Sequence, residues 1–397
     1  MENRKPTFKV FIAKGENAYS TTRDVLKRID LDIEKLKNKR ILLKPNSGRL
    51  VSERLGINTN PDVVAAVIDF FLESGIKDLA IGESPILGVK ALEALEKCGI
   101  ARVATERKIP LIDLDNHGSL IVKIPHKKII DHLKICQKIK EFDFIVSIPV
   151  MKTHMHTQVS LGLKNMKGCL FKREKVKLHQ LPFSRTIPPP AKPLDMAIAD
   201  MSKVLMPDLT VIDGSIGQEG LGPSAGQARF VGLIIASRHC LAADWIASRL
   251  MGLNPRSIHH LQLAIKETGQ DINDDTLLPE PKDFLKWKVI FKRPPEKISL
   301  QFKNVIVEDK DACSACLSST LMFLQRYYKD FADYLTPQFP LRMAVGKGIG
   351  KQTEDTLLIG NCTIKQKDKG IFIKGCPPVA SQIKLGLDKL IKKKSDL

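Results

Sequence analysis

The chain has 397 residues, 43% of them apolar, and a formal net charge of +19. Its length exceeds one comfortable core and implies two domains, and no apolar run approaches the ~18–20 residues that cross a bilayer. The positive balance favours acidic partners (phosphorylated metabolites, nucleic acid, anionic membrane) or else reflects a lysine-rich soluble surface, while aromatics, at 6%, are too sparse for a base-stacking platform.

The opening MENRKPTFKV has basic residues but no apolar stretch behind them, so no signal peptide is expected. The expected compartment is the cytoplasm, where thiols stay reduced and eight cysteines read as core thiols or metal ligands. Residues 7–13 alternate and predict a first strand. Residues 24–37 carry Val25, Leu26, Ile29, Ile33 and Leu36 at helical spacing. Residues 40–44 predict a short buried strand running into Lys44-Pro45-Asn46. Asn60 and Pro61 open a helix as N-cap and first-turn proline, Gly75 stops it, and Val63, Val67, Ile68, Phe71 and Leu72 form its apolar face. A strand at 78–81 ends in Gly82-Glu83-Ser84. Residues 89–98 are expected as helix, and 109–114 and 120–124 as short strands.

The segment from Asp143 to Leu170 organises the rest. An apolar strand, Phe144 to Ile148, breaks at Pro149 and turns cationic, presenting Lys152, His154, His156, Lys164, Asn165 and Lys167 within sixteen residues. A further strand at 208–212 leads into Asp213-Gly214 and on to Glu219-Gly220. Such alternation of strands and helices predicts an α/β fold, a mostly parallel sheet flanked by helices. Four polar strand ends (Lys44/Asn46, Glu83/Ser84, Lys152/His154, Asp213/Glu219) are expected to meet at one carboxyl edge, where open α/β sheets build their sites.

Residues 171–194 are basic and proline-rich, and read as a lid or a connector, with Lys172, Arg173, Lys175 and His179 able to face an anion. A helix at 195–205, a strand at 230–236 and helices at 240–250 and 257–266 complete a first domain, 1–268. Residues 269–301, rich in charge and proline, are expected as a linker. A smaller α/β domain follows at 302–397, with strands at 304–307, 343–345, 357–359 and 371–373 and helices at 317–335 and 381–392.

Lys152, Lys164 and Lys167 would clamp a phosphate or carboxylate, with Lys44, Asn46, Glu83, Ser84 and Asn165 also binding substrate. His154 or His156 would move a proton, and Asp213 and Glu219 would position a hydroxyl or a cation. The His154-x-His156 pair could hold a metal, although such pairs more often bond an anion or backbone.

The cysteines divide. Cys98, Cys136, Cys169 and Cys240 are scattered and read as small core residues. Cys313, Cys316, Cys362 and Cys376 each follow a strand or open a helix, so parallel strands would bring them to one sheet edge. A helix N-terminus would stabilise thiolates at Cys313 and Cys316. Four thiolates can hold zinc or an iron–sulfur cluster. One tight pair and a proline after the last ligand favour a cluster, one [4Fe–4S], with zinc as the alternative.

Lys44-Pro45-Asn46, Gly82-Glu83-Ser84, Lys152-Thr153-His154, Leu163 to Gly168 and Val211 to Gly214 resemble the domain of unknown function 362 family over roughly residues 40–255. The resemblance implies iron–sulfur cysteines, which members of the family often carry, sometimes in an appended ferredoxin module. This chain lacks the dense cysteine run of such a module. Gly375-Cys376-Pro377-Pro378 is similar to a ligand segment of iron–sulfur subunits in hydrogenases and respiratory complexes. The expected function is an iron–sulfur oxidoreductase or cofactor-maturation enzyme that acts on an anionic small molecule and exchanges electrons with a redox partner protein. The alternative is a zinc-stabilised nucleic-acid-binding protein without catalysis.

Overall fold

Helix Pro61–Glu73 begins where the sequence places it. The Asn60 side chain accepts the Asp62 N–H, proline opens the first turn, and Gly75 lies just past the end. Val63, Val67, Ile68 and Phe71 are fully buried in the main core. Each contributes about 1.5–3 kcal/mol relative to an exposed position. This helix and its neighbours cover a sheet ordered Leu277–Glu280, Phe8–Lys14, Gln227–Ser237, Leu209–Glu219, Phe144–Ile148, Ile41–Pro45, Leu79–Glu83, Leu111–Asp113. From Leu209–Glu219 to Leu111–Asp113 every pairing is parallel, whereas Gln227–Ser237 runs antiparallel to both its neighbours. The expected α/β class with a mostly parallel sheet holds.

The computed structural model describes residues 7–181, 191–294 and 302–395. They divide into two compact units, one running to Lys175 and again from Pro190 to Pro294, the other taking Val176 to Pro189 and everything from Pro295. Among the described residues no helix is long and apolar enough to cross a membrane.

Several local expectations are corrected. The stripe at 24–37 is two helices, Ala18–Leu26 and Ile33–Leu36, because Asn17 and Asp32 each cap a start. Ser119–Lys123 pairs with His132–Cys136 in a hairpin outside the main sheet. Pro149 does not end the strand region: Val150–His154 is itself a strand, paired with Leu209–Glu219 and Gln158–Ser160. The glycine-rich run after Asp213 is likewise strand, held along its length by Gln227–Ser237.

The stretch 269–301 is not a linker over its described part. Leu277–Glu280 adds a parallel edge strand to Phe8–Lys14, and the first unit extends to Pro294. Charge and proline suit an edge strand, which has one unpaired side. Of the predicted lid 171–194, residues 174–179 are a short helix; residues 182–190, like 295–301, lie outside the described residues.

The second unit holds a parallel sheet, Val305–Asp309, Leu341–Val345, Thr356–Ile359, Ile371–Ile373, paired in that order. Helices Ser314–Phe331 and Ala380–Ser395 belong to the same unit.

Candidate functional site

Strands Ile41–Pro45, Leu79–Glu83 and Phe144–Ile148 are parallel neighbours, so their polar ends do share one edge. There Lys44 Nζ lies 2.8 Å from Glu83 Oε2, with neither side chain exposed. The Glu83 carboxylate also accepts the N–H groups of Ser47 and Ser84, both at 2.9 Å. Asn165 locks the opposite side, donating to the Lys44 carbonyl at 3.0 Å and to Ser147 Oγ at 3.1 Å. Gly168 lies directly over this pair: a Cβ there would meet Glu83 Oε1 at 2.4 Å and Lys44 Nζ at 2.5 Å. The Lys-Gly step of the motif is thus a packing requirement.

More cations surround the pair. Lys152, 4% exposed, donates to Asn46 Oδ1 and, at 2.8 Å, to the Ile57 carbonyl. Burial, reinforced by the Arg49 charge, lowers its pKa to about 7. Lys164, 6% exposed, donates to Thr157 Oγ1 at 2.7 Å, and burial with the Lys167 charge lowers its pKa well below the usual value. Burial and the neighbouring Lys175 bring Lys167 to about 7. Lys175 is buried too, donating to Ser84 Oγ with Asp115 3.6 Å away. Arg49 donates to Ser224 Oγ at 3.2 Å. Among the described residues no hydrogen bond or ion pair joins Lys152 or Lys164 to a carboxylate. Glu83 and Asp213 favour the Lys152 charge, and Asp195 that of Lys164, only through space, and burial outweighs them.

His154 is buried and faces its own turn, its Nδ1 accepting the His156 N–H at 3.1 Å. The two rings are 5.8 Å apart between centroids. Backbone donors therefore occupy Nδ1 of His154.

The two expected acidic residues fall elsewhere. Asp213 accepts the N–H of Asn60 at 2.8 Å and both the N–H and hydroxyl of Ser215, so it fixes the start of helix Pro61–Glu73. Burial nonetheless raises its pKa. Glu219 pairs with Arg229 at 2.6 Å and accepts the Lys292 N–H at 3.0 Å. Six residue steps along one strand separate them, about 20 Å, so one small substrate cannot meet both. Lys44, Asn46, Glu83, Ser84, Lys152, Asn165 and the other lysines do come together.

Sequence reasoning missed Asp244. It sits inside the apolar helix Cys240–Leu250 and accepts the N–H groups of Gly162, at 2.7 Å, and Leu163, at 3.0 Å. It thereby caps the short helix bearing Lys164 and Asn165, although burial raises its pKa to about 7. Its signal was a lone acid in an otherwise apolar helix. Arg49, Thr157 and Asp115 were also missed, because each lies in a loop or turn with no motif.

In the second unit the parallel order places Cys313, Cys362 and Cys376 after strands that run the same way, at one edge. Cys313 is the N-cap of helix Ser314–Phe331, with Cys316 in its first turn. The Cys316 thiol, helped by the N–H groups of Cys316 and Ala315, pulls Cys313 down to about 6 against burial, while Cys316 is pushed up by keeping the shared proton. Cys316 also feels the charges of Cys362 and Cys376. Among the described residues no three His, Cys, Asp or Glu side chains form a group able to hold a metal ion. Cys98, Cys136, Cys169 and Cys240 are buried in the first unit, and burial raises every one of those thiols, Cys169 to about 12.

Comparison with known proteins places these residues in context. Residues 41–249 match the model of a family described as Domain of unknown function (DUF362). The thylakoid-associated protein of Synechocystis sp. is 29% identical over 221 residues, covering 55% of this chain and 65% of the relative. The chain thus matches just under two thirds of that curated relative's length. Among solved structures, the lactate racemase apoprotein from Thermoanaerobacterium thermosaccharolyticum aligns with a TM-score of 0.41 and 13% identity, covering 62% of this chain and 57% of that one. A structural-genomics crystal structure of a Thermotoga maritima protein aligns with a TM-score of 0.38 and 16% identity, covering 60% of each chain.

Proposed function

The chain belongs to the DUF362 family, and from that premise we propose that it is an iron–sulfur protein, an oxidoreductase or cofactor-maturation enzyme, acting on an anionic small molecule in the cytoplasm. The reading is carried by Lys152 and Lys164, two buried ammonium groups that donate to neutral oxygens. Nearby carboxylates offset their burial only in part, and a buried charge without a direct partner is costly. A phosphate or carboxylate between these lysines would offset that cost and restore their protons. Lys152, Lys164 and Lys167 bind and orient the anion, and Lys44 with Glu83 forms the rigid floor beneath them. His154 or His156 moves a proton at the substrate.

Four thiols at one sheet edge suit an iron–sulfur cluster by their chemistry, and Cys313 is already drawn toward thiolate. Zinc on the same four thiolates is the alternative. When bound, the cluster would supply single electrons, passed to or from a redox partner protein. The nucleic-acid reading has less support, since these lysines are buried and a polymer's phosphates cannot reach them.

The test is calorimetric titration of the full-length protein with pyrophosphate at pH 6.5. Wild type is expected to bind, and Lys152→Met to bind at least tenfold more weakly while remaining folded. Equal affinity in the two proteins would remove the anion site.

A further inference from the structure

The cysteines at the sheet edge differ in what donates to them. Cys313 has the N–H groups of Ala315 and Cys316, as expected at a helix start. The two positions after Cys376 offer none, because Pro377 and Pro378 carry no N–H. A side chain from far back in the sequence takes that place. Gln180 Nε2 lies 3.3 Å from Cys376 Sγ and 2.6 Å from the Cys376 carbonyl oxygen, so its two N–H bonds can serve sulfur and backbone together. A 2.7 Å hydrogen bond between His179 Nδ1 and Ser314 Oγ anchors the neighbouring residue beside the Cys313–Cys316 pair. Both residues lie in the segment that groups with the cysteine unit.

We infer that Gln180 is a positioning residue for the four-cysteine site: its amide orients the Cys376 sulfur and, through the N–H···S bond, raises the reduction potential of a cluster held there. The inference rests on the iron–sulfur reading for its redox part and on the hydrogen bond alone for the rest. A cluster gains negative charge on reduction, so a donor to its ligand sulfur stabilises the reduced form more than the oxidised one. The same donor holds the metal-free Cys376 sulfur in one orientation, so losing it changes how readily that sulfur is alkylated. The segment 176–181 therefore has a specific task in the cysteine unit.

The experiment compares full-length wild type with Gln180→Met, which keeps the side chain's bulk and removes both donors. Anaerobic protein is assayed for iron and sulfide, and its midpoint potential is measured by redox titration. Metal-free protein is treated with iodoacetamide at pH 7.5, and modification of Cys376 is followed by peptide mass spectrometry. Gln180→Met is expected to keep its iron and to shift the oxidised-to-reduced ratio at fixed potential roughly tenfold, a fall of 59 mV for one electron. Its Cys376 should alkylate at a rate several-fold different from that of wild type. If wild type holds no iron, the cluster reading fails, and the alkylation comparison decides the Gln180 contact by itself. Wild-type alkylation in Gln180→Met, with a wild-type potential wherever iron is present, would overturn the inference.

Discussion

Lys44 and Glu83 form an ion pair at 2.8 Å with almost no exposure, and Gly168 closes over it with no room for a methyl group. A pair in this setting does little for stability while intact, but losing one partner leaves the other charge stranded. Glu83→Gln should therefore destabilise the protein by about 3–5 kcal/mol. Gly168→Ala should cost about 1–3 kcal/mol by overpacking. Urea unfolding of the first unit measures both. Wild-type midpoints in the two variants would mean that the pair is loosely held.

Lys152 gives a pH signature. Its folded pKa of about 7 lies below the unfolded value of 10.5, so between those limits the unfolded chain binds the extra proton. Wild type should gain stability relative to Lys152→Met as pH rises from 7 to 10, by up to about 1.4 kcal/mol per pH unit. Paired urea titrations across that range would reveal the divergence. Parallel curves would mean that Lys152 keeps its ordinary pKa.

Anion binding should run the other way. Only the protonated amine attracts an anion, so sulfate affinity should stay nearly flat below pH 7 and fall above it. The fall should reach up to about tenfold per pH unit for each lysine engaged, because bound anion raises the amine pKa. Sulfate itself does not titrate there. Affinity that increases between pH 7 and 9 would contradict the site.

Asp244 holds the helix that carries Lys164 and Asn165. Asn in its place offers one acceptor to two N–H groups, and an unsatisfied buried donor costs about 1–3 kcal/mol. Asp244→Asn should therefore weaken pyrophosphate binding together with stability, whereas Lys152→Met should affect binding chiefly. Hydrogen exchange at Gly162 and Leu163 reports the loosening directly.

Much of this was legible beforehand because the signals were local. Asn60-Pro61 and the apolar face of the helix follow from capping and periodicity, and the strands of the cysteine unit follow from short apolar runs. Lys44, Glu83, Lys152 and Asn165 were found because polar residues sit at or beside apolar strands. What was lost depended on partners distant in sequence. Asp213 to Glu219 contains two glycines and reads as a loop until Gln227–Ser237 pairs with it. Pro149 reads as a stop, yet its carbonyl accepts the Asp213 N–H at 2.8 Å and the chain continues as strand. Asp244 and Gln180 act on residues more than eighty positions away, and no spacing rule reaches that far.

The most direct measurement is iron and acid-labile sulfide analysis, with visible absorption, on anaerobically purified protein and its eight single Cys→Ser variants. Wild type should hold about four iron and four sulfide per chain. Cys313→Ser, Cys316→Ser, Cys362→Ser and Cys376→Ser should each lose them, and serine at Cys98, Cys136, Cys169 or Cys240 should leave them intact. One equivalent of zinc without iron, or full iron content in Cys376→Ser, would contradict a four-cysteine iron–sulfur site.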